Sequence, residues 1–139
     1  MAVYRDREGS VVLLVDAAGR IAMQLRDDKP GLPGANKWGL FGGLRDRDES
    51  PHAVALREIR EELGVELDPD RLTLYREHTI PAQNLTTWVF HYRVTNELDA
   101  AVLREGQMWD FIGPGDARAA DIGLHHREIV LGYWANAVP

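Results

Sequence analysis

Three glutamates near the end of one segment are the residues best suited to chemistry in this chain. If residues 51–63 form an α-helix, Glu58, Glu61 and Glu62 fall within an arc of about 100° on its surface. The apolar residues of the same segment form a stripe on another side. The helix is therefore expected to bury one side and to present three carboxylates on another.

Carboxylates placed this closely repel one another. Like charges three and four residues apart destabilise a helix, and the negative end of the helix dipole adds to the repulsion. A divalent cation would remove the conflict, since Mg²⁺ prefers hard oxygen ligands and keeps sites for water and substrate phosphates. The alternative is a solvated acidic face partly neutralised by Arg57 and Arg60.

A longer pattern surrounds these carboxylates and decides between the two interpretations. From Gly43 through Glu49 to Val65 the chain reads G-x5-E-x7-R-E-U-x-E-E-x-G-U, where U is a bulky aliphatic residue. Given ordinary residue frequencies, the chance of such a match in a chain of this length is below about one in a million. The pattern is identified as the Nudix box, and the chain resembles the Nudix hydrolase family, including its MutT-like members.

The resemblance implies a metal centre built from the box. Glu58, Glu61 and Glu62 would bind Mg²⁺ or Mn²⁺, with the carbonyl oxygen of Gly42 as a further ligand. It also implies the fold of the family, an α/β/α sandwich with a mixed β-sheet.

Further residues receive roles from the same resemblance. Arg57 and Glu49 would orient the helix carboxylates, and Glu105 lies in a segment similar to one that supplies another metal-binding carboxylate in triphosphate-cleaving members. A carboxylate must also accept the proton of the attacking water. Glu58 and Glu105 are both candidates for this base.

The expected reaction is hydrolysis of a phosphoanhydride bond in a nucleoside diphosphate linked to another group. A nucleoside triphosphate is the favoured substrate, as in MutT-like pyrophosphohydrolases, and ADP-ribose or a nucleotide sugar is the alternative. A nucleotide-sensing Nudix module without catalysis is an alternative of another class. Loops 27–37, 79–86 and 113–123 are expected to contact the rest of the substrate, which the box does not specify.

The remaining pattern indicates the elements that must position these residues. Ser50 and Pro51 are typical of a helix start, and Gly64 of a helix end, so a helix is predicted over 51–63. The apolar residues from Ile129 to Trp134 predict a terminal helix. Strands are predicted at residues 11–16, 20–26, 38–41, 71–79, 85–94 and 108–112. Strands mixed with helices in this order indicate an α/β or α+β sandwich with a mixed sheet rather than a parallel doubly wound sheet.

Composition limits the remaining possibilities. The 139 residues suit a single domain spanning 1–139, and the longest aliphatic run, Val11 to Val15, is too short for a membrane span. The absence of cysteine favours a reducing, cytoplasmic location. A net charge of −6 does not favour a nucleic-acid polymer as partner, so a small nucleotide is expected. Many members of the family form dimers, and a homodimer is therefore considered.

Several other side chains have two interpretations. Four aromatic residues could stack on a base but are more often part of a core: Trp38, Phe41, Trp88 and Trp109. Three cations could meet phosphates or remain solvated: Arg26, Lys37 and Arg45. Many Nudix relatives have Pro where this chain has Phe41. His125 and His126 are adjacent, so joint metal ligation from a helix is not expected.

Overall fold

A mixed six-stranded sheet forms the centre of the computed structural model, which describes residues 7–46, 48–123 and 125–136. The strands are β1 (Arg7–Val15), β2 (Ile21–Leu25), β3 (Trp38–Leu44), β4 (Thr73–Ile80), β5 (Leu85–Arg93) and β6 (Met108–Ile112). They lie in the order β4-β5-β1-β3-β2-β6. β1 and β5 pair in parallel, and the other neighbours pair antiparallel.

Two helices cover opposite faces of this sheet. The helices are α1 (Pro51–Leu63) and α2 (His126–Asn136). Because side chains alternate across a strand, Val12 and Leu14 of β1 join the core beneath α1, whereas Leu13 joins the core beneath α2 with Ile129. The arrangement confirms the α/β sandwich with a mixed sheet.

Helix α1 has the predicted boundaries because its capping signals are strong. The Ser50 hydroxyl accepts the backbone N–H of Ala53 at 3.1 Å, and Pro51 occupies the first turn. At the other end Gly64 adopts a left-handed conformation with φ 67°, and its N–H reaches the carbonyl of Arg60 at 2.9 Å.

Two strands are longer than predicted. β1 begins at Arg7 rather than Val11, because its parallel pairing with β5 starts at Arg7 opposite Leu85. β3 continues to Leu44, beyond the predicted strand end at Phe41. The antiparallel pairing of β3 with β1 extends through Gly42 and Gly43.

The pairing of β3 with β1 also explains one of the glycines. Gly42 has φ 150°, and a Cβ atom there would lie 2.1 Å from the carbonyl oxygen of Ser10. Only glycine therefore permits this close approach of β3 to β1.

Neither helix within the described residues has the length and apolar character needed to cross a lipid bilayer.

Candidate active site

The carboxylate of Glu62 lies buried between α1 and the sheet. Its Oε1 accepts the backbone N–H of Gly42 at 2.8 Å, and its Oε2 accepts Nε2 of Gln24 at 2.8 Å. Only 6% of the residue is exposed. Burial raises the pKa of Glu62 to about 8, and the negative charges of Glu58 and Glu105 add to this shift against the two hydrogen bonds. A buried carboxylate in this environment is suited to a compensating cation.

Glu58 lies one helical turn before Glu62 and fits against β3. A Cβ atom on Gly43 would lie 2.5 Å from the carboxyl carbon of Glu58, so the glycine makes room for this side chain. Burial raises the pKa of Glu58, while the neighbouring Arg57 acts in the opposite direction. The glycine of the box and its first helical glutamate are therefore packed directly together.

Glu61 occupies the solvent side of the same cluster. Its side chain is 51% exposed, and its Oε2 lies 3.3 Å from Nη1 of Arg57. The structure thus places the three helix carboxylates in three environments, from nearly buried at Glu62 to half exposed at Glu61.

Arg57 links the helix to the preceding loop. Its Nη2 and Nε donate to Oε1 of Glu49 at 2.7 and 3.0 Å, and its Nη1 donates to Oε1 of Glu58 at 2.9 Å. The hydrogen bonds to Glu49 hold the pKa of Arg57 above its ordinary value. Nη2 also lies 3.4 Å from the carbonyl oxygen of Leu44 at the end of β3. This geometry suits the predicted orienting roles of Arg57 and Glu49.

Glu105 approaches the same end of α1 from another part of the chain. The backbone N–H of Arg104 donates to the carbonyl of Glu62 at 3.0 Å, which places the segment before β6 against the helix end. Glu105 itself is exposed, and its negative charge contributes to the raised pKa of Glu62. The structure therefore brings a fourth carboxylate to the cluster, although its predicted metal and base roles stay predictions.

The donor chemistry of this cluster fits a hard divalent cation. Carboxylates of Glu58, Glu61 and Glu62 lie on neighbouring turns, and the carbonyl of Gly42 offers a further oxygen. In the described parts of the chain, however, no three His, Asp or Glu side chains already stand in position to hold a metal ion. Arg57 instead contacts both Glu58 and Glu61. The residue assignments for the metal therefore remain predictions.

A cavity of about 320 Å³ opens beside Gly42 and Gly43. Its size is at the lower end of the range for small-molecule pockets. Apolar and polar groups both contribute to its walls. Its walls include Gly42, Gly43, Arg26, Val11, Leu40, Leu85, Thr87, His125 and His126.

The two histidines of this cavity form hydrogen bonds with different partners. Nδ1 of His126 accepts the backbone N–H of Leu40 at 3.0 Å, and burial lowers the pKa of His126 to about 3. Because Nδ1 must carry the lone pair, the neutral ring carries its proton on Nε2. Nε2 of His125 pairs with the hydroxyl of Thr87 at 3.1 Å. The separate partners agree with the expectation that the pair does not ligate one metal.

The structure decides several of the open interpretations of the aromatic and basic residues. Trp38 and Phe41 are buried in the two cores and belong to the fold. Phe41 is completely buried within β3, so the site where relatives carry Pro is a core position here. Nζ of Lys37 lies 3.5 Å from Oδ1 of Asp121, and Nη1 of Arg45 lies 3.2 Å from Oε2 of Glu8.

Gln24 is a site residue that the sequence did not indicate. It is 5% exposed on β2 and holds Glu62 across 38 positions of the chain. A single glutamine in an apolar strand was the only local signal, and it does not identify a partner so distant in sequence.

Comparisons with known proteins agree with this geometry. A family model described as NUDIX domain matches residues 4–131. An RNA pyrophosphohydrolase of Gluconacetobacter diazotrophicus is 40% identical over 67 residues, which cover 45% of this chain and 38% of that protein. The chain thus aligns with well under half of the length of this relative.

Solved structures share the fold. A structure of MutT from a study of Aliivibrio salmonicida and Vibrio cholerae superposes with a TM-score of 0.74 at 17% identity, covering 96% of this chain and 100% of that one. A bifunctional NMN adenylyltransferase/ADP ribose pyrophosphatase from Francisella tularensis, complexed with AMP and a Mn ion, superposes with a TM-score of 0.74 at 16% identity. That match covers 97% of this chain and 43% of the larger one.

Proposed function

Since this chain belongs to the NUDIX family of hydrolases, we propose that it catalyses divalent-metal-dependent hydrolysis of a phosphoanhydride bond in a nucleotide derivative. The products are a nucleoside monophosphate and either pyrophosphate or a second phosphorylated fragment.

The observation that carries this proposal is the position of the Glu62 carboxylate. It is nearly buried, yet it lies beside Glu58 and in contact with Gly42, which lines the 320 Å³ cavity. A cavity lined by Gly42 and Gly43, the two glycines that lie against Glu62 and Glu58, suits a ligand whose diphosphate reaches a metal held by these carboxylates.

The chain's own residues have distinct tasks in this reaction. Arg57 and Glu49 orient the helix carboxylates, and Glu58, Glu61 and Glu62, with the carbonyl of Gly42, hold the cation, Mg²⁺ or Mn²⁺. When bound, the cation offsets the charge of the diphosphate and makes water more acidic.

Water then attacks phosphorus in line with the leaving oxygen. The new P–O bond forms as the anhydride P–O bond breaks, and Glu58 or Glu105 accepts the proton of the water.

We favour a nucleoside triphosphate as substrate, with a small nucleotide rather than a nucleic-acid polymer as ligand. ADP-ribose or a nucleotide sugar is the second candidate, supported by the fold shared with an enzyme named as an ADP ribose pyrophosphatase. The relative named as an RNA pyrophosphohydrolase makes an RNA carrying a 5′-triphosphate a necessary test substrate. We further propose a single domain over 1–139, a cytoplasmic location and a homodimer as assembly to be tested.

A panel of substrates tests this proposal. It contains nucleoside triphosphates, ADP-ribose, nucleotide sugars and the 5′-triphosphate RNA, each with Mg²⁺ or Mn²⁺ and each with both products identified. The proposal predicts cleavage between phosphorus atoms that ceases when the metal is chelated. Tight nucleotide binding without turnover on the whole panel would favour the non-catalytic sensor instead.

A further inference from the structure

Two cavities are lined by the two residues that hydrogen-bond the carboxylate of Glu62. The first, of about 320 Å³, includes Gly42, whose N–H binds Oε1 of Glu62. The second, of about 340 Å³, includes Gln24, whose side chain binds Oε2. Arg26 lines both cavities. A ligand with its diphosphate beside Glu62 can therefore extend into a cavity in either direction.

The two cavities differ in character. The first has apolar walls from Val11, Leu40 and Leu85, and these suit a nucleoside. The second has mostly charged and polar walls, with three cations and two carboxylates. These charged residues are Arg26, Lys29, Arg104, Asp27 and Glu105.

Two cations of the second cavity are available to a ligand. Arg104 is exposed and forms no ion pair with any residue that the structure describes. The side chain of Lys29 is 71% exposed and lies 3.7 Å from Asp27, a separation typical of a weak surface pair. Neither cation would have to give up a strong partner to bind an anion.

The walls of the second cavity are tied together by hydrogen bonds. Nε2 of Gln107 donates to the carbonyl of Arg26 and to Oδ1 of Asn36, both at 2.9 Å. Gly106 packs so closely that a Cβ atom there would lie 2.8 Å from Oε1 of Gln24. The backbone N–H of Arg104 is anchored on the carbonyl of Glu62. The backbone of Arg26 and of Arg104 is therefore fixed beside the end of α1 before a ligand arrives.

We propose that the second cavity is the subsite for the terminal phosphate of the fragment beyond the scissile bond, bound by Lys29 and Arg104. This inference rests on the proposed function. It makes the preferred substrate one whose leaving fragment ends in a phosphate, such as a nucleoside triphosphate, rather than a nucleotide sugar, whose leaving sugar phosphate ends in an uncharged sugar.

Binding of inorganic pyrophosphate in Mg²⁺ buffer, followed by isothermal titration calorimetry, tests this subsite without requiring turnover. In the Lys29→Ala/Arg104→Ala double variant, loss of two charge-assisted contacts is expected to raise Kd by about tenfold or more. Arg76→Ala removes an exposed arginine on β4 and serves as the matched control, with less than about a twofold change expected. An unchanged Kd in the double variant would overturn the subsite.

Steady-state kinetics separate failure of the subsite from failure of the proposed function. The double variant is expected to raise KM for a nucleoside triphosphate about tenfold, and to change KM for a nucleotide hexose less than twofold. Equal changes in KM for both substrates would contradict the proposed subsite but not the proposed hydrolase activity. If the parent shows no turnover but the variant binds pyrophosphate more weakly than the parent, the proposed hydrolase activity is contradicted and the proposed subsite is not. If the double variant does not fold, Arg104→Ala alone gives the same comparison.

Discussion

Gln24 donates from Nε2 to Oε2 of Glu62 at 2.8 Å, joining an internal strand to the acidic helix. The bond holds one carboxylate oxygen while the N–H of Gly42 holds the other. Side chains that orient metal-binding groups commonly affect metal affinity by about 10-fold to 100-fold. Gln24 is therefore expected to be a positioning residue for the metal.

Replacement of Gln24 by leucine should weaken metal binding. Leucine removes the donor and leaves Oε2 of Glu62 buried without its partner, so Mn²⁺ affinity is expected to fall about tenfold or more. Binding followed by electron paramagnetic resonance measures this without substrate. Gln83→Leu, on the exposed turn before β5, is the matched control and should leave the affinity unchanged. Equal affinities in the parent and Gln24→Leu would show that the bond does not position the ligand.

Replacement of Gly43 by alanine should displace Glu58. The added Cβ would lie 2.5 Å from its carboxyl carbon, and a shift of about 1 Å in a catalytic group can cost about 100-fold in rate. We expect a loss of turnover of about that size. Gly132→Ala adds the same methyl group on α2, where the nearest atom is Nη1 of Arg76 at 3.7 Å, and its turnover should match the parent. Near-normal activity in Gly43→Ala would mean that Glu58 does not need this position.

Arg57→Lys should separate the shape of the guanidinium from its charge. Lysine keeps the charge but loses the fork that contacts Glu49 and Glu58, so the free energy of unfolding should fall by about 2 kcal/mol. Arg60→Lys, at an exposed pair with Glu66, should change it by less than about 0.5 kcal/mol. Denaturant unfolding of both variants measures the difference. If both variants lower the free energy of unfolding by less than about 0.5 kcal/mol, the contacts of Arg57 contribute no more than an ordinary surface ion pair.

The buried His126 should make the protein less stable in acid. Its pKa is lowered to about 3, mainly by burial and further by the neighbouring basic side chains His125, Arg26 and His78, compared with 6.5 for an ordinary histidine. The unfolded chain therefore binds the proton more readily between these values. The stability from neutral His126 is complete above pH 6.5 and is lost as the pH falls toward 3.

Linkage gives the size of this effect and its control. This histidine alone should lower the free energy of unfolding by about 2 kcal/mol between pH 7 and pH 5. His126→Asn keeps an acceptor for the Leu40 N–H but does not titrate. The free energy of unfolding of this variant should therefore change less with pH than that of the parent, whatever its value at pH 7. Denaturant unfolding at several pH values measures both slopes. Identical slopes would show that other groups cause the acid sensitivity.

The sequence predicts the acidic helix better than its surroundings for a physical reason. Ser50, Pro51 and Gly64 determine α1 by local capping, so its limits are visible without any tertiary contact. The extension of β3 through Gly42 depends on pairing with β1, and glycines alone favour a loop. The order of residues along a short segment indicates interactions within that segment. It does not indicate strand pairing, which joins residues far apart in the sequence.

The same distinction holds within the site. The box spacing identifies Glu58, Glu61 and Glu62 directly, and their shared helix brings them together. Gln24 belongs to the site only because β2 lies beside β3 in the sheet, which no spacing along the chain reveals. The cations of the second cavity are likewise brought together by two loops far apart in sequence.

Turnover of Glu61→Gln tests the central claim most directly, because Glu61 is the cluster carboxylate whose removal least disturbs the fold. Its side chain is 51% exposed, and Glu66→Gln, at a side chain 69% exposed just beyond the helix, removes the same charge outside the cluster. With Mg²⁺ and the substrate that the parent cleaves best, we predict a loss of about 100-fold or more in Glu61→Gln, at unchanged melting temperature. Glu66→Gln should retain parental turnover. Full Mg²⁺-dependent turnover in Glu61→Gln on every substrate would contradict the assignment of the helix carboxylates to the metal.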